Sequence, residues 1–140
     1  MLTGHCLCGA VQVTVNGAHD PRVGACHCRM CQRWSGGLFL CFDAAAEGVT
    51  IEGPVTQFAS SDFATRGFCS LCGSHVWFRD TGSDVINLMP GLFDAARDFP
   101  LRSEIYIDRA ITAARLTGDH RRATRADYES QHDFVEGDLP

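Results

Sequence analysis

Residues 10–15, Ala-Val-Gln-Val-Thr-Val, alternate apolar and polar. Val11, Val13 and Val15 therefore share one face and Gln12 and Thr14 the other, which predicts a half-buried strand. Asn16-Gly17 follows as a turn. Further short stretches rich in β-branched and aromatic residues occur at 38–42, 49–52, 55–59, 75–79, 85–89 and 104–108, separated by Gly, Pro, Asp or Ser. No segment before residue 109 keeps a helical period for three turns, and a single helical turn is expected after Cys31, at Gln32-Arg33-Trp34. The fold class is mostly β, a compact domain of short antiparallel sheets. From Gly118 the chain turns polar and nearly loses its β-branched residues, so residues 1–117 are expected to form one domain and 118–140 a tail or short helix.

Composition agrees with that picture. With 140 residues, 45% apolar and 21% charged, the chain reads as one ordinary globular domain. Met1 to Ala10 has no basic leader and no apolar core of a signal peptide, and apolar runs fall far short of the roughly 20 residues that span a bilayer. A cytoplasmic protein without a membrane partner is expected. The net charge of −5 argues against a nucleic-acid partner, whose phosphates call for clustered basic residues. All 12 basic residues are arginine, which excludes lysine Schiff-base or lysine general-base chemistry.

Eight cysteines are the strongest chemical signal. In a reducing compartment their close grouping suits metal ligation better than disulfides. They form three clusters, Cys6-Leu7-Cys8, Cys26-His27-Cys28-Arg29-Met30-Cys31 and Cys69-Ser70-Leu71-Cys72, with Cys41 alone in an apolar stretch that suits a buried small side chain. Cys69 and Cys72 form a knuckle, and Gly73 permits the positive φ such a turn often requires. Its second pair of ligands can be Cys6 with Cys8 or part of the triplet. Ligand counting favours the first choice, because two plus two closes a tetrahedron and leaves three thiolates together. Cys26, Cys28 and Cys31 would then hold a second ion with one open position, the pattern of catalytic zinc. Iron in a four-thiolate site is the alternative, although such sites normally use two knuckles of two intervening residues each.

Other side chains carry weaker expectations. His27 lies between two proposed ligands, where it can serve as a fourth ligand, a general base or, as favoured here, an exposed or backbone-bonded imidazole. His75 and His5 suit core or supporting imidazoles, whereas His19, His120 and His132 have no partner motif. Arg33 and Trp34 follow the triplet directly, so the guanidinium can meet a substrate carboxylate or hold loop carbonyls, and the indole can wall a pocket. Arg29 and Arg66 share that ambiguity. Phe39, Phe42, Phe58, Phe63, Phe68, Trp77 and Phe78 are expected in the core.

At GHCLCGAV, ACHCRMCQRWSG and RGFCSLCGSHVWF the sequence resembles the glutathione-dependent formaldehyde-activating enzyme family, which also contains the centromere protein V domain. Three cysteine motifs agree in order and spacing, together with Gly9, Arg33, Gly36, Arg66, Phe68, Gly73 and Phe78, and weaker similarity extends the match over about residues 3 to 110. The resemblance implies a β-tent-like domain carrying two zinc ions, one on Cys6, Cys8, Cys69 and Cys72 and the other on Cys26, Cys28 and Cys31. It also implies a carbon-sulfur lyase activity that joins glutathione and formaldehyde into S-hydroxymethylglutathione. Glu104 departs from the family pattern, which often has His there, and the usual Trp a few residues beyond is absent. The expectation is a zinc-dependent enzyme acting on glutathione or a related thiol adduct, with Arg33 beside the open site. The rival is a noncatalytic zinc-stabilised module that binds a thiol or a protein.

Overall fold

The computed structural model describes residues 1–132, so the last part of the expected tail, 133–140, lies outside the described residues. In chain order the elements are β1 (Leu2–His5), β2 (Gln12–Val15), β3 (Val23–Cys26), α1 (Arg29–Ser35), β4 (Phe39–Ala45), β5 (Val49–Glu52), β6 (Val55–Ala59), β7 (Ala64–Cys69), β8 (His75–Asp80), β9 (Val85–Leu88), β10 (Leu101–Ile105), β11 (Arg121–Ala123) and α2 (Arg125–Glu129). The chain is mostly β, and it divides into two compact units. The first comprises Met1–Pro21 with Cys41–Phe99, and the second Arg22–Leu40 with residues 100–132.

The first unit holds two runs of antiparallel strands. In one, β2 pairs with β1 and β5, setting Val13 opposite Gly4 and Ile51, and Val15 opposite Leu2 and Val49. In the other, β4 pairs with β9, β9 with β8, β8 with β7, and β7 with β6. The alternation read at residues 10–15 is realised, since Val11, Val13 and Val15 are all buried while Gln12 is exposed. Each such valine contributes about 1.5 to 3 kcal/mol by leaving water. They join Phe42, Val76, Trp77, Leu88 and Phe93 in one apolar core. Phe42 meets the edges of Phe93 and Phe99, with ring centroids 5.4 and 5.5 Å away, and His19 stacks on Phe99. Phe58 departs from the expected core placement: it is 53% exposed on β6, which ends its run of strands among the described residues.

The second unit is built differently. β10 pairs parallel with β3 on one side and parallel with β11 on the other, so the expectation of antiparallel pairing fails here. The reason is connectivity: strands separated by long stretches of chain can return in the same direction, which a two-residue hairpin cannot do. α1 is longer than the single turn expected, beginning within the cysteine triplet and ending at Gly36. α2 carries a complete capping box, in which Thr124 and Asp127 each satisfy the other's backbone amide.

Candidate metal centres and a buried carboxylate

All eight cysteines are free thiols, and seven of them gather into the two groups that ligand counting favoured. Cys6, Cys8, Cys69 and Cys72 form one group, in the first unit; Cys26, Cys28 and Cys31 form the other, in the second unit. Within each group the sulfurs lie within 4.8 Å of one another.

The four-sulfur group is made where two loops meet. Cys6 follows β1 and Cys69 ends β7, and both are fully buried, while Cys8 lies exposed and Cys72 half-buried. Each loop closes on itself through an amide to the carbonyl three or four residues back, Gly9 N–H to Cys6 O at 3.0 Å and Gly73 N–H to Cys69 O at 2.9 Å. Both glycines have the positive φ that a side chain would disfavour, 79° at Gly9 and 75° at Gly73. Ser74 ties the loops together: its hydroxyl accepts from Leu7 N–H at 3.0 Å and lies 3.2 Å from Cys72 Sγ. Sequence reading passed over Ser74, for which the only signal was its place directly after Cys-Gly.

The sulfur spacing fits one tetrahedral ion. Cys6 Sγ is 3.5 Å from Cys8 Sγ, and Cys8 Sγ is 3.8 Å from Cys69 Sγ. A tetrahedron of metal–sulfur bonds of about 2.3 Å has sulfur–sulfur edges of about 3.8 Å. The electrostatics point the same way. Hydrogen bonds from Ser74 hold the Cys72 thiol down to about 5. At Cys8 the backbone at Ala10 favours the thiolate, but the shared proton with Cys6, desolvation and the other two sulfurs outweigh it and push the thiol up to about 12. Four sulfurs this close resist ionising together, and a divalent cation among them reverses that resistance.

The three-sulfur group is local. β3 ends at Cys26, Cys28 is the N-cap of α1, and Cys31 lies in the first turn of that helix. Cys31 N–H donates to Cys28 Sγ at 3.4 Å, the bond an N-cap oxygen usually accepts. Hydrogen bonding with Cys28 and with Cys31, together with burial, raises the Cys26 thiol well above its ordinary value. Three sulfurs supply one fewer ligand than a closed tetrahedron needs. Arg33 and Arg29 are exposed on α1, and Cys41 is half-buried on β4 outside both groups.

His27 is where the sequence expectation fails. Its side chain is not exposed: the residue is 1% exposed, and Nε2 donates to the carboxylate Glu104 Oε1 at 2.7 Å. Adjacent residues of an extended chain point to opposite faces, so His27 turns away from the flanking cysteines. Glu104, on β10, is itself buried and accepts a second bond, from His120 Nε2 at 2.5 Å, while Arg122 Nε lies 3.4 Å from the same oxygen. Burial pushes the Glu104 carboxyl up, but the hydrogen bonds and charges of His120 and His27 prevail and hold it below the ordinary carboxylate value. Sequence reading assigned His120 nothing. An acid at the head of the apolar run Ile105-Tyr106-Ile107 was the available hint that Glu104 has buried partners.

Fold and site together define a small, mainly β protein with two separate cysteine groups, each arranged to hold a metal ion. Within that class the chain belongs to the glutathione-dependent formaldehyde-activating enzyme family, whose sequence profile matches residues 1–109. An uncharacterized lyase of Schizosaccharomyces pombe is 30% identical over 107 residues, spanning 75% of this chain and 77% of the relative. A Halomonas elongata protein named for the same formaldehyde-activating family is 30% identical over 89 residues, 57% of each chain. Among solved structures, a Rhodobacter sphaeroides protein superposes with a TM-score of 0.58 at 18% identity, covering 71% of this chain and 99% of its own, which shows a shared fold. No helix among the described residues is long and apolar enough to cross a membrane.

Proposed function

We propose that the chain is a zinc-dependent carbon-sulfur lyase acting on glutathione or a related small thiol and its aldehyde adduct. The observation that carries this reading is the inequality of the two groups. Four sulfurs complete a tetrahedron, whereas Cys26, Cys28 and Cys31 are joined by no fourth ligand among the described residues and leave one position for a ligand from outside. Family membership and the names of the relatives support the direction of the chemistry. Zinc suits an all-sulfur donor set, and when bound it would hold an incoming thiol as thiolate at neutral pH.

The residues of the chain then have separate tasks. Cys6, Cys8, Cys69 and Cys72 hold the structural ion. Cys26, Cys28 and Cys31 hold the second ion and fix where the substrate sulfur arrives. Arg33, exposed in the last turn of α1, supplies a cation for one of the carboxylates of glutathione. In the synthetic direction a sulfur–carbon bond forms between thiol and formaldehyde, the carbonyl π bond breaks, and the thiol proton ends on the new hydroxyl. The reverse reaction releases thiol and aldehyde.

Calorimetry with glutathione, followed by the rate of adduct formation when formaldehyde is added, tests the proposal. The expected result is binding together with a rate above that of the protein-free reaction under the same conditions, which proceeds unaided. Binding with no rate increase would make the chain a thiol-binding module, and failure to bind glutathione would remove that thiol as substrate.

A further inference from the structure

We infer that Glu104 and His120 are positioning residues of the three-cysteine site, through which the chain beyond residue 109 holds the thiolate loop in its metal-ready shape. The inference rests on the proposal that Cys26, Cys28 and Cys31 hold the second ion.

His27 lies between Cys26 and Cys28 in the chain. His27 is fastened at three points. Its N–H donates to Ile105 O at 3.0 Å, its carbonyl accepts from Gln32 Nε2 at 2.9 Å, and its imidazole donates to Glu104 at 2.7 Å. Because the chain is extended here, fixing the ring and both peptides of His27 fixes the directions in which Cys26 and Cys28 project on the opposite face. The spacing of the two sulfurs therefore depends on a carboxylate that touches neither.

Glu104 is in turn held from the C-terminal side. It fills one oxygen with His27 and the other with His120, whose side chain is 4% exposed, and Arg122 approaches the second oxygen. β11, which follows His120, runs parallel to β10 and sets Arg122 opposite Glu104. Arg122 also donates to Gly118 O at 2.9 Å, and Arg125 N–H donates to Asp108 Oδ1 at 2.7 Å. Tyr106, two residues past Glu104, adopts a left-handed backbone with φ 57°, which is strained for a bulky residue. Its ring packs on Tyr128 of α2 at a centroid distance of 5.3 Å, and its hydroxyl donates to Glu129 at 3.3 Å. The family match ends at residue 109, yet His120, Arg122, Tyr128 and Glu129 all close on β10 and the turn that follows it. Of these contacts, the one between His120 and Glu104 is buried on both sides.

The test uses the full chain loaded with Co²⁺ and follows transfer of each ion to a chelator by its thiolate charge-transfer absorption. A Cys28→Ser variant identifies which release phase belongs to the three-cysteine site. Supporting partners of metal ligands are typically worth 10- to 100-fold in affinity. Glu104→Ala and His120→Ala are expected to speed release from the three-cysteine site by about tenfold or more and to shift its absorption, leaving release from the four-cysteine site unchanged. Glu104→Gln, which keeps the shape and one acceptor oxygen, should recover part of the loss. Should Glu104→Ala fail to fold, His120→Ala carries the same test. Release within twofold of wild type, or equal acceleration of both ions without a spectral shift, overturns the inference. A wild-type chain that binds only one ion overturns the proposed second site as well, so the two failures are told apart.

Discussion

The two cysteine groups use the same ligand atom in opposite ways. In the first unit the candidate ligands come from loops about sixty residues apart, and two of the four, Cys6 and Cys69, belong to the apolar core. In the second unit the three ligands lie within six consecutive residues, beside a buried polar network rather than a packed core. An ion on the first group closes a long loop; an ion on the second closes almost none. Loop-closure entropy grows as about 1.5 RT ln n, so this difference alone is worth roughly 2 kcal/mol. The fourth ligand and the core contacts add to it. On the proposed reading, an ion on the first group would hold the fold, and an ion on the second would be free to exchange a ligand.

The largest effect is expected at the first site. Cys69→Ser should remove more than about 5 kcal/mol, comparable to the whole stability of a small domain, because structural metal binding is itself folding free energy. Circular dichroism with and without zinc would read it, and a folded variant with an unchanged melting curve would dissolve the contrast. By comparison, Cys28→Ser should cost no more than about 2 kcal/mol, since serine is a good N-cap and α1 would keep its first hydrogen bond. It should nonetheless lose the second ion, which metal analysis can show.

Ser74→Ala sharpens the account of the closed site. Its hydroxyl is the leading cause of the low Cys72 thiol value of about 5, so removing it raises that value. Protons then compete with metal at higher pH, and the midpoint for acid release of the first ion should move upward, with affinity lowered about tenfold. A midpoint that stays put or moves down would rule out this role for Ser74. Phe58→Ser gives the smallest effect, within about 0.5 kcal/mol in chemical denaturation, because the ring is mostly in water.

The parts legible in the sequence were those with a local signature. The cysteine spacings delivered both groups, and strict alternation delivered the strand carrying Val13 and Val15. β1, β3 and β7 went unread because LTGH, VGAC and ATRGFC are short and dominated by small or polar residues, which carry weak strand signals. Phe58 was misplaced because hydrophobicity does not say which strand lies at an edge. The Glu104 network was invisible for a different reason: His27 and Glu104 are 77 residues apart, and only the parallel pairing of β3 with β10 brings them together. No spacing rule encodes such a contact.

The central claim is that one site is closed and the other open, and cobalt spectroscopy with added thiol tests it most directly. The account predicts two Co²⁺ ions per chain, both with thiolate charge-transfer bands. Glutathione should shift only the bands that disappear in Cys28→Ser, leaving those of the four-cysteine site unmoved. A single ion per chain, or spectra at both sites indifferent to glutathione, would contradict it.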